Sequence, residues 1–228
     1  MTQIPAEQFG WMHGEEVPAY LAEHQASFKD TGLWPVVVGD PESLALLLDT
    51  YEIYSEDGDT AEQALKSAAA ENIERWLDFH AEESGIEDPE IFGDGVVSEQ
   101  PGPGLLTALN TGGSKPLPEV GVGLFRVKHP WEVLAQLLWT APNYDMGPKI
   151  HCAIQYRWSE RYGADVVSAT GDVIQCRVLR PPSTTEAALE LAREQYIYCP
   201  DIVTQGVGTV TELAGTLLNA DYWYFWWD

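Results

Sequence analysis

Basic side chains are scarce in this sequence. Twelve Lys and Arg stand against 36 Asp and Glu, a formal net charge of −24. Nucleic acid and anionic membranes are both held by basic patches, so neither is expected as a partner. Cysteine is scarcer still: Cys152, Cys176 and Cys199, with no C-x-x-C pair. An odd, sparse set argues against a disulfide framework and suits a reduced, cytoplasmic setting. The opening MTQIPAEQFGWMHGEE has neither the basic nor the apolar stretch of a signal peptide. No apolar run approaches the ~18 residues of a membrane helix. There is no internal repeat, and no GxGxxG, Walker A, GxSxG or HExxH motif.

What the chain does have is acid at one end and aromatic rings at the other. Residues 1–128 carry 24 acidic and 6 basic side chains, and residues 129–228 carry 12 and 6, so the balance is −18 against −6. An acidic surface favours solubility and leaves room for a basic protein partner. The chain closes on Tyr222-Trp223-Tyr224-Phe225-Trp226-Trp227-Asp228. Six consecutive rings, each worth roughly 150–250 Å² of burial, predict a terminal strand covered on both faces.

Between these ends the chain alternates. A short helix is expected around Val17–Phe28, and Leu33–Gly39 reads as a strand with Pro35 at an edge or just before the ladder. Asp40-Pro41-Glu42 starts a helix with Leu44, Leu47, Leu48 and Tyr51 on its inner face. Ser55–Asp59 is an acidic loop without the ligand spacing of a calcium site. Thr60 and Gln63 form a capping box, opening one helix to about Glu83 with Leu65, Ala69, Ile73, Trp76, Leu77 and His80 in a stripe. Residues 84–119 hold two clusters of chain breakers, Glu99–Gly104 and Thr111–Pro116.

These features divide the chain into an N-terminal acidic α/β region (1–98), a Pro/Gly-rich linker or covering loop (99–118) and a C-terminal α+β domain (119–228). In the last of these, Val120–Val127 is a strand, and a helix carries Val133, Leu134, Leu137 and Leu138. A second helix runs from Lys149 to Tyr162, ending at Gly163. Thr170-Gly171-Asp172 joins two strands as a hairpin. Helices from Thr184 or Thr185 and from Thr209, and the aromatic strand, follow. That order predicts a ferredoxin-like, split βαβ antiparallel sheet with extra helices, strand 33–38 adding at an edge and the N-terminal helices covering the second face.

The C-terminal residues resemble a known family. They are the run His151-Cys152-Ala153 through Arg157-Trp158 to Arg161-Tyr162-Gly163-Ala164, then Thr170-Gly171-Asp172 and Arg180-Pro181-Pro182. Glu194-Gln195, Tyr198-Cys199-Pro200-Asp201 and the ending Trp223–Asp228 complete the set. Together they resemble the bacterial family catalogued as domain of unknown function 4253, over roughly 120–228. Leu33–Val36 is similar to an upstream segment that accompanies it. The resemblance implies no activity and assigns no catalytic residue.

The densest polar constellation is His151, Asp172, Arg180, Glu194, Gln195, Tyr198, Cys199 and Asp201. His151 and Gln155 share a helix face opposite Ile150 and Ile154, and a surface or capping histidine is the plain alternative to a general base or ligand. Cys199 with His151 as base would make a nucleophile, and Asp172 and Asp201 are further catalytic candidates. His151, Cys199 and Asp201 together match no zinc spacing, so no metal or cofactor is expected. Arg157, Arg180, Glu194 and Tyr198 are the candidate ligand-binding residues, although Arg157, Arg161, Arg177 and Arg180 can equally pair with surrounding acids. The favoured expectation is a non-catalytic cytoplasmic module that captures a basic protein, as an immunity-like protein captures a toxin-like one. A hydrolase or transferase centred on His151 is the alternative, and a purely structural domain the third.

Overall fold

The structure, a computed structural model, describes residues 4–109, 113–144 and 146–228. Thr111 and Gly112 of the second breaker cluster therefore lie outside the described residues, as does Asp145 in the loop 143–148. In chain order the elements are β1 (Gln8–Met12), α1 (Val17–Thr31), β2 (Leu33–Gly39), α2 (Pro41–Glu56), α3 (Ala61–Ala70), α4 (Ile73–Glu83) and α5 (Pro89–Phe92). They continue with β3 (Val120–Arg126), α6 (Val133–Gln136), α7 (Pro148–Tyr162), β4 (Ala164–Ala169), β5 (Val173–Val178), α8 (Thr185–Tyr198), α9 (Val210–Leu217) and β6 (Tyr222–Trp226).

Local chemistry sets most boundaries. Asp40 Oδ1 accepts from the Ser43 N–H at 2.8 Å, Thr60 Oγ1 from Gln63 at 3.2 Å, and Thr184 and Thr209 cap α8 and α9 in the same way. Gly163, at φ +62°, ends α7 and returns its N–H to Ser159 O at 2.8 Å. The single helix expected over 60–83 is two. Asn72 Oδ1 caps a new start at Arg75 N–H, 3.1 Å away, so α4 begins afresh. The buried residues become Ala64, Ala68 and Leu77, while Ala69 is exposed. The helix expected around residues 133–138 is one turn long, preceded by a 3-10 turn at Pro130–Glu132.

The sheet is mixed and six-stranded, in the order β1-β3-β2-β4-β5-β6. This is not the expected ferredoxin-like arrangement. β2 lies at the centre of the sheet, antiparallel to β3 and parallel to β4, and not at an edge. The reason is in its side chains: Trp34, Val36, Val37 and Val38 are all at most 2% exposed, so both faces of β2 must be covered. Pro35 is tolerated there because Leu124, opposite it, turns its carbonyl to the N–H of Glu7, the residue before β1, at 2.8 Å. By antiparallel alternation, the missing N–H of Pro35 then faces β4, where the ladder is thin. One bridge, Val37 to Ser168, joins β2 to β4, helped by Ser168 Oγ to Val37 O at 3.1 Å and the Trp34 indole to Val166 O at 2.6 Å.

Strands from both sides of the segment 99–118 therefore make one sheet. The described residues of that segment cover the second face. Thr107 N–H and hydroxyl both donate to Gln175 Oε1, at 2.9 and 3.2 Å, and Gln175 Nε2 donates to Gly104 O at 2.9 Å. α1 covers the rest of that face, packing Phe28 on Trp34. α3 and α4 lie on the other side, outside α7 and α8. β6 is the last strand of the sheet. Trp223, Phe225 and Trp227 are sealed on one face, whereas Tyr222, Tyr224 and Trp226 on the other are only half-buried. The two-sided cover expected for this run is complete on one side only, because the 99–118 segment is thinner than a helix layer.

Candidate functional site

α7 is buried almost all round. Its inner residues include Ile150 and Ile154 and also His151, Cys152 and Gln155, because the sheet lies on one side and α3 on the other. His151 is thus not on an outward face, as the helix pattern implied, but fully buried. Trp139, Tyr198 and Trp227 surround its ring, with centroids 4.6, 5.5 and 5.8 Å away. Nδ1 lies 2.7 Å from Tyr198 Oη, and Nε2 lies 3.2 Å from both the Ala141 N–H and the Met146 carbonyl. Either neutral tautomer finds partners here: a proton on Nδ1 goes to Tyr198 while Nε2 accepts from Ala141, and a proton on Nε2 goes to Met146. Burial pushes the imidazole pKa down to about 3 against a smaller opposing effect of the Met146 carbonyl. At neutral pH the ring is an uncharged structural hydrogen-bonding group.

Nearby polar groups are spent in the same way. Cys176 Sγ donates to Gln155 Oε1 at 3.2 Å, and Cys199 Sγ to Trp226 O at 3.0 Å. Burial pushes all three thiols up, Cys152 to about 12. Protonated, enclosed thiols are poor nucleophiles. Cys199 does not meet His151 in a nucleophile–base hydrogen bond; its thiol is turned to the β6 backbone. Asp201 accepts from the Tyr144 hydroxyl and the Asp228 N–H, each at 3.1 Å, and so ties down the end of β6. Asp172 takes the Thr170 hydroxyl at 3.1 Å in the β4–β5 turn. Of the catalytic candidates His151, Asp172, Cys199 and Asp201, no two are joined side chain to side chain by a hydrogen bond among the described residues. No three His, Cys, Asp or Glu side chains among those residues come together as a metal site needs.

The ligand candidates also separate. Glu194 on α8 is 8% exposed and is satisfied by protein. Arg157 grips it through Nε at 3.2 Å and Nη2 at 2.9 Å, Arg161 Nη1 adds 2.7 Å, and the Trp158 indole 2.9 Å. Burial pushes this carboxyl up, but Arg157, the Trp158 N–H and Arg161 outweigh it and hold its pKa below the ordinary value. The cluster is a clamp between α7 and α8, extended to Glu74 on α4 and Glu190. Arg180 Nη2 donates to Glu160 O at 2.9 Å at the negative end of α7. Tyr198 belongs to the sealed core.

Sequence reasoning missed Gln155 with Cys176, and the Trp139, Ala141 and Met146 surround of His151. The i, i+4 spacing of His151 and Gln155 did signal a shared polar stripe. Nothing local could show that the stripe faces inward.

The outer face is the reverse of this interior. Residues 41–94 hold 16 acidic side chains and two basic ones, a balance of −14. Fifteen of the 16 acids are exposed, with Glu71 half-buried. Leu46, Ile53 and Phe79 stand out among them at 46, 62 and 58% exposure. Leu46 and Ile53 are seven apart on α2 and share a face. No helix among the described residues is long and apolar enough to cross a membrane.

Fold and site together define an α+β protein with one mixed sheet, a sealed polar-aromatic core and an acidic helical exterior. Its residues 121–228, β3 through β6, match the family described as Domain of unknown function (DUF4253), the family whose residues the sequence resembles. No curated protein and no solved structure matches the chain.

Proposed function

We propose that the protein is a non-catalytic binding module whose partner is a basic protein, held on the outer face of α2, α3 and α4. The carrying observation is the exposure of the acidic side chains of residues 41–94, with the exposed Leu46 and Ile53 among them on α2 and the exposed Phe79 on α4. Exposed apolar side chains supply anchors, and the surrounding acids speed and select a cationic partner. Among the described residues, three of those acids, Glu71, Glu74 and Glu87, are drawn into ion pairs, with Lys149, Arg157 and Arg193. Neutralisation of a toxin-like basic protein in the cytoplasm fits this chemistry. The alternative, a hydrolase or transferase built on His151, would require the core around that ring to open.

The test is affinity capture on the immobilised chain at about 0.05 M and about 0.5 M salt, since exposed charges are screened at the higher strength. Basic proteins should be retained at low salt and released at high salt. Replacing Glu52→Lys and Ile53→Asp together should release them at low salt without lowering the melting temperature. Turnover of a substrate that disappears with His151→Asn, with no salt-dependent partner, would sink the proposal.

A further inference from the structure

β2 and β4 are parallel neighbours, and the strands that follow them, β3 and β5, lie on opposite sides of the pair. Open sheets bind ligands in the crevice outside the carboxyl ends of such strands, where the connections part. A cavity of about 650 Å³ opens there in this protein, well inside the roughly 300–1,000 Å³ range of ligand pockets. Gly39 and Asp40, at the end of β2 and the cap of α2, line one side of it, and Thr170 and Asp172, in the turn after β4, line another. Gly39 sits at φ +93°, and a Cβ there would lie 2.6 Å from Ser43 Cβ, so only glycine lets α2 start this close to the turn. Leu106, Leu109 and Leu117 supply an apolar wall, and Tyr224 and Trp226, from one face of β6, supply two rings.

Asp40, Asp172, Tyr224 and Trp226 are each half-buried, so a molecule in the cavity can reach them. Asp40 spends Oδ1 on the Ser43 N–H at 2.8 Å, and Asp172 spends Oδ1 on the Thr170 hydroxyl at 3.1 Å. The second oxygen of each takes no hydrogen bond among the described residues. A carboxylate oxygen can only accept, so both call for a donor. No Lys, Arg or His is among the described residues that line the cavity, and the two negative charges meet no cation from its walls. Ring faces also attract positive charge. An anion is repelled by the carboxylates and the rings alike, and a neutral alcohol satisfies the oxygens without using the charge. No group of three His, Cys, Asp or Glu of metal-site geometry includes these acids among the described residues. The favoured cation is therefore organic, and the leucine wall suits its apolar part.

We propose that this cavity binds a small organic amine in its ammonium form, donating to the second oxygens of Asp40 and Asp172 beside the Tyr224 and Trp226 rings, with its apolar body along the leucines. Neither carboxylate belongs to residues 41–94, so the inference stands or falls apart from the acidic outer face.

2-Phenylethylammonium, 2-phenylethanol and phenylacetate share a ring and a two-carbon arm and differ in the charge at its end. They are titrated into the ¹⁵N-labelled full chain in about 0.15 M salt, which screens general attraction to the acidic surface, while the Trp226 indole and Gly39 amide signals are followed. 2-Phenylethylammonium should move both signals and bind at least about tenfold more tightly than 2-phenylethanol, as charge-assisted hydrogen bonds and ring contacts allow. Phenylacetate should move neither. Asp40→Asn with Asp172→Asn keeps both shapes and the α2 cap, since Asn caps as well as Asp, and should erase the preference for the amine. Glu42→Gln with Asp49→Asn removes the same charge from exposed positions of α2 and should leave the preference intact. No movement of either signal overturns the site. Binding of 2-phenylethanol or phenylacetate as tight as that of the amine overturns the cationic class. A preference that survives the first pair of substitutions, or that the second pair lowers equally, reduces the effect to general surface charge and overturns the site as well.

Discussion

α7 and α3 pack against each other and yet belong to opposite environments. Nine residues of α7 are buried, including His151 and Gln155. α3 buries Ala64 and Ala68, and α4 beyond it only Leu77. A buried polar side chain on α7 needs a protein partner, since burial without one is costly: His151 finds Tyr198, Ala141 and Met146, whereas Gln155 meets Cys176 through Oε1 and leaves Nε2 without a partner among the described residues. A polar side chain on α3 or α4 has water. The same residue types therefore carry different meaning: inside they hold the fold, outside they are free for a partner.

The sharpest way to break this contrast is to remove the outer region. Residues 1–98 supply β1 and β2, and β2 is the strand between β3 and β4. A fragment of residues 119–228 should lose cooperative unfolding, because β3 is left without either neighbour. Urea titration with near-ultraviolet circular dichroism would check this. A sharp transition with an unchanged aromatic spectrum would mean that the family region closes its sheet without β2.

A smaller effect is expected from single rings. Trp158 is fully buried, stacks on Phe225 at 5.2 Å and donates to Glu194. Trp158→Ala should cost about 3–5 kcal/mol, whereas Phe79→Ala on α4 should stay within about 0.5 kcal/mol. Chemical denaturation of the two variants side by side measures the contrast directly, and equal losses would erase it.

The mildest probe is acid. An unfolded histidine takes a proton below about pH 6.5, but folded His151 resists one until about 3. Protons then favour the unfolded state throughout that window. The stability due to this ring is whole above the upper limit and drains away as pH falls toward the lower one, by at most about 1.4 kcal/mol per unit. Glu194, whose folded pKa is lowered, is fully charged in both states well above ~4.3 and loses its contribution only as pH falls through its lowered value. Unfolding midpoints between pH 7 and 5 thus read His151 with little from Glu194. His151→Gln should flatten the slope there, and an unchanged slope would place the titrating group elsewhere.

Local signals were legible where chemistry is local. The Asp40, Thr60 and Thr209 caps, the Gly163 stop, the Thr170–Asp172 hairpin and the aromatic strand all appear where their residues point, and of the two threonines that could open α8 it is Thr184 that caps it. The catalytic reading was less legible. His151, Asp172, Cys199 and Asp201 are close in type and in the order of motifs, but each is engaged by a different part of the fold. Glu194 and Arg157 read as a possible ligand pair and are partners to each other across two helices.

By itself the sequence determined the acid excess, the helix starts and stops and the apolar character of β2, because each depends on neighbours within a few positions. Only the tertiary structure decided that β2 enters the middle of the sheet, that His151 faces inward, and that β6 keeps a free edge. Those outcomes depend on which elements lie on the far side of a helix or strand, and that is settled by contacts between residues far apart in the chain, such as Trp34 with Val166, 132 positions on.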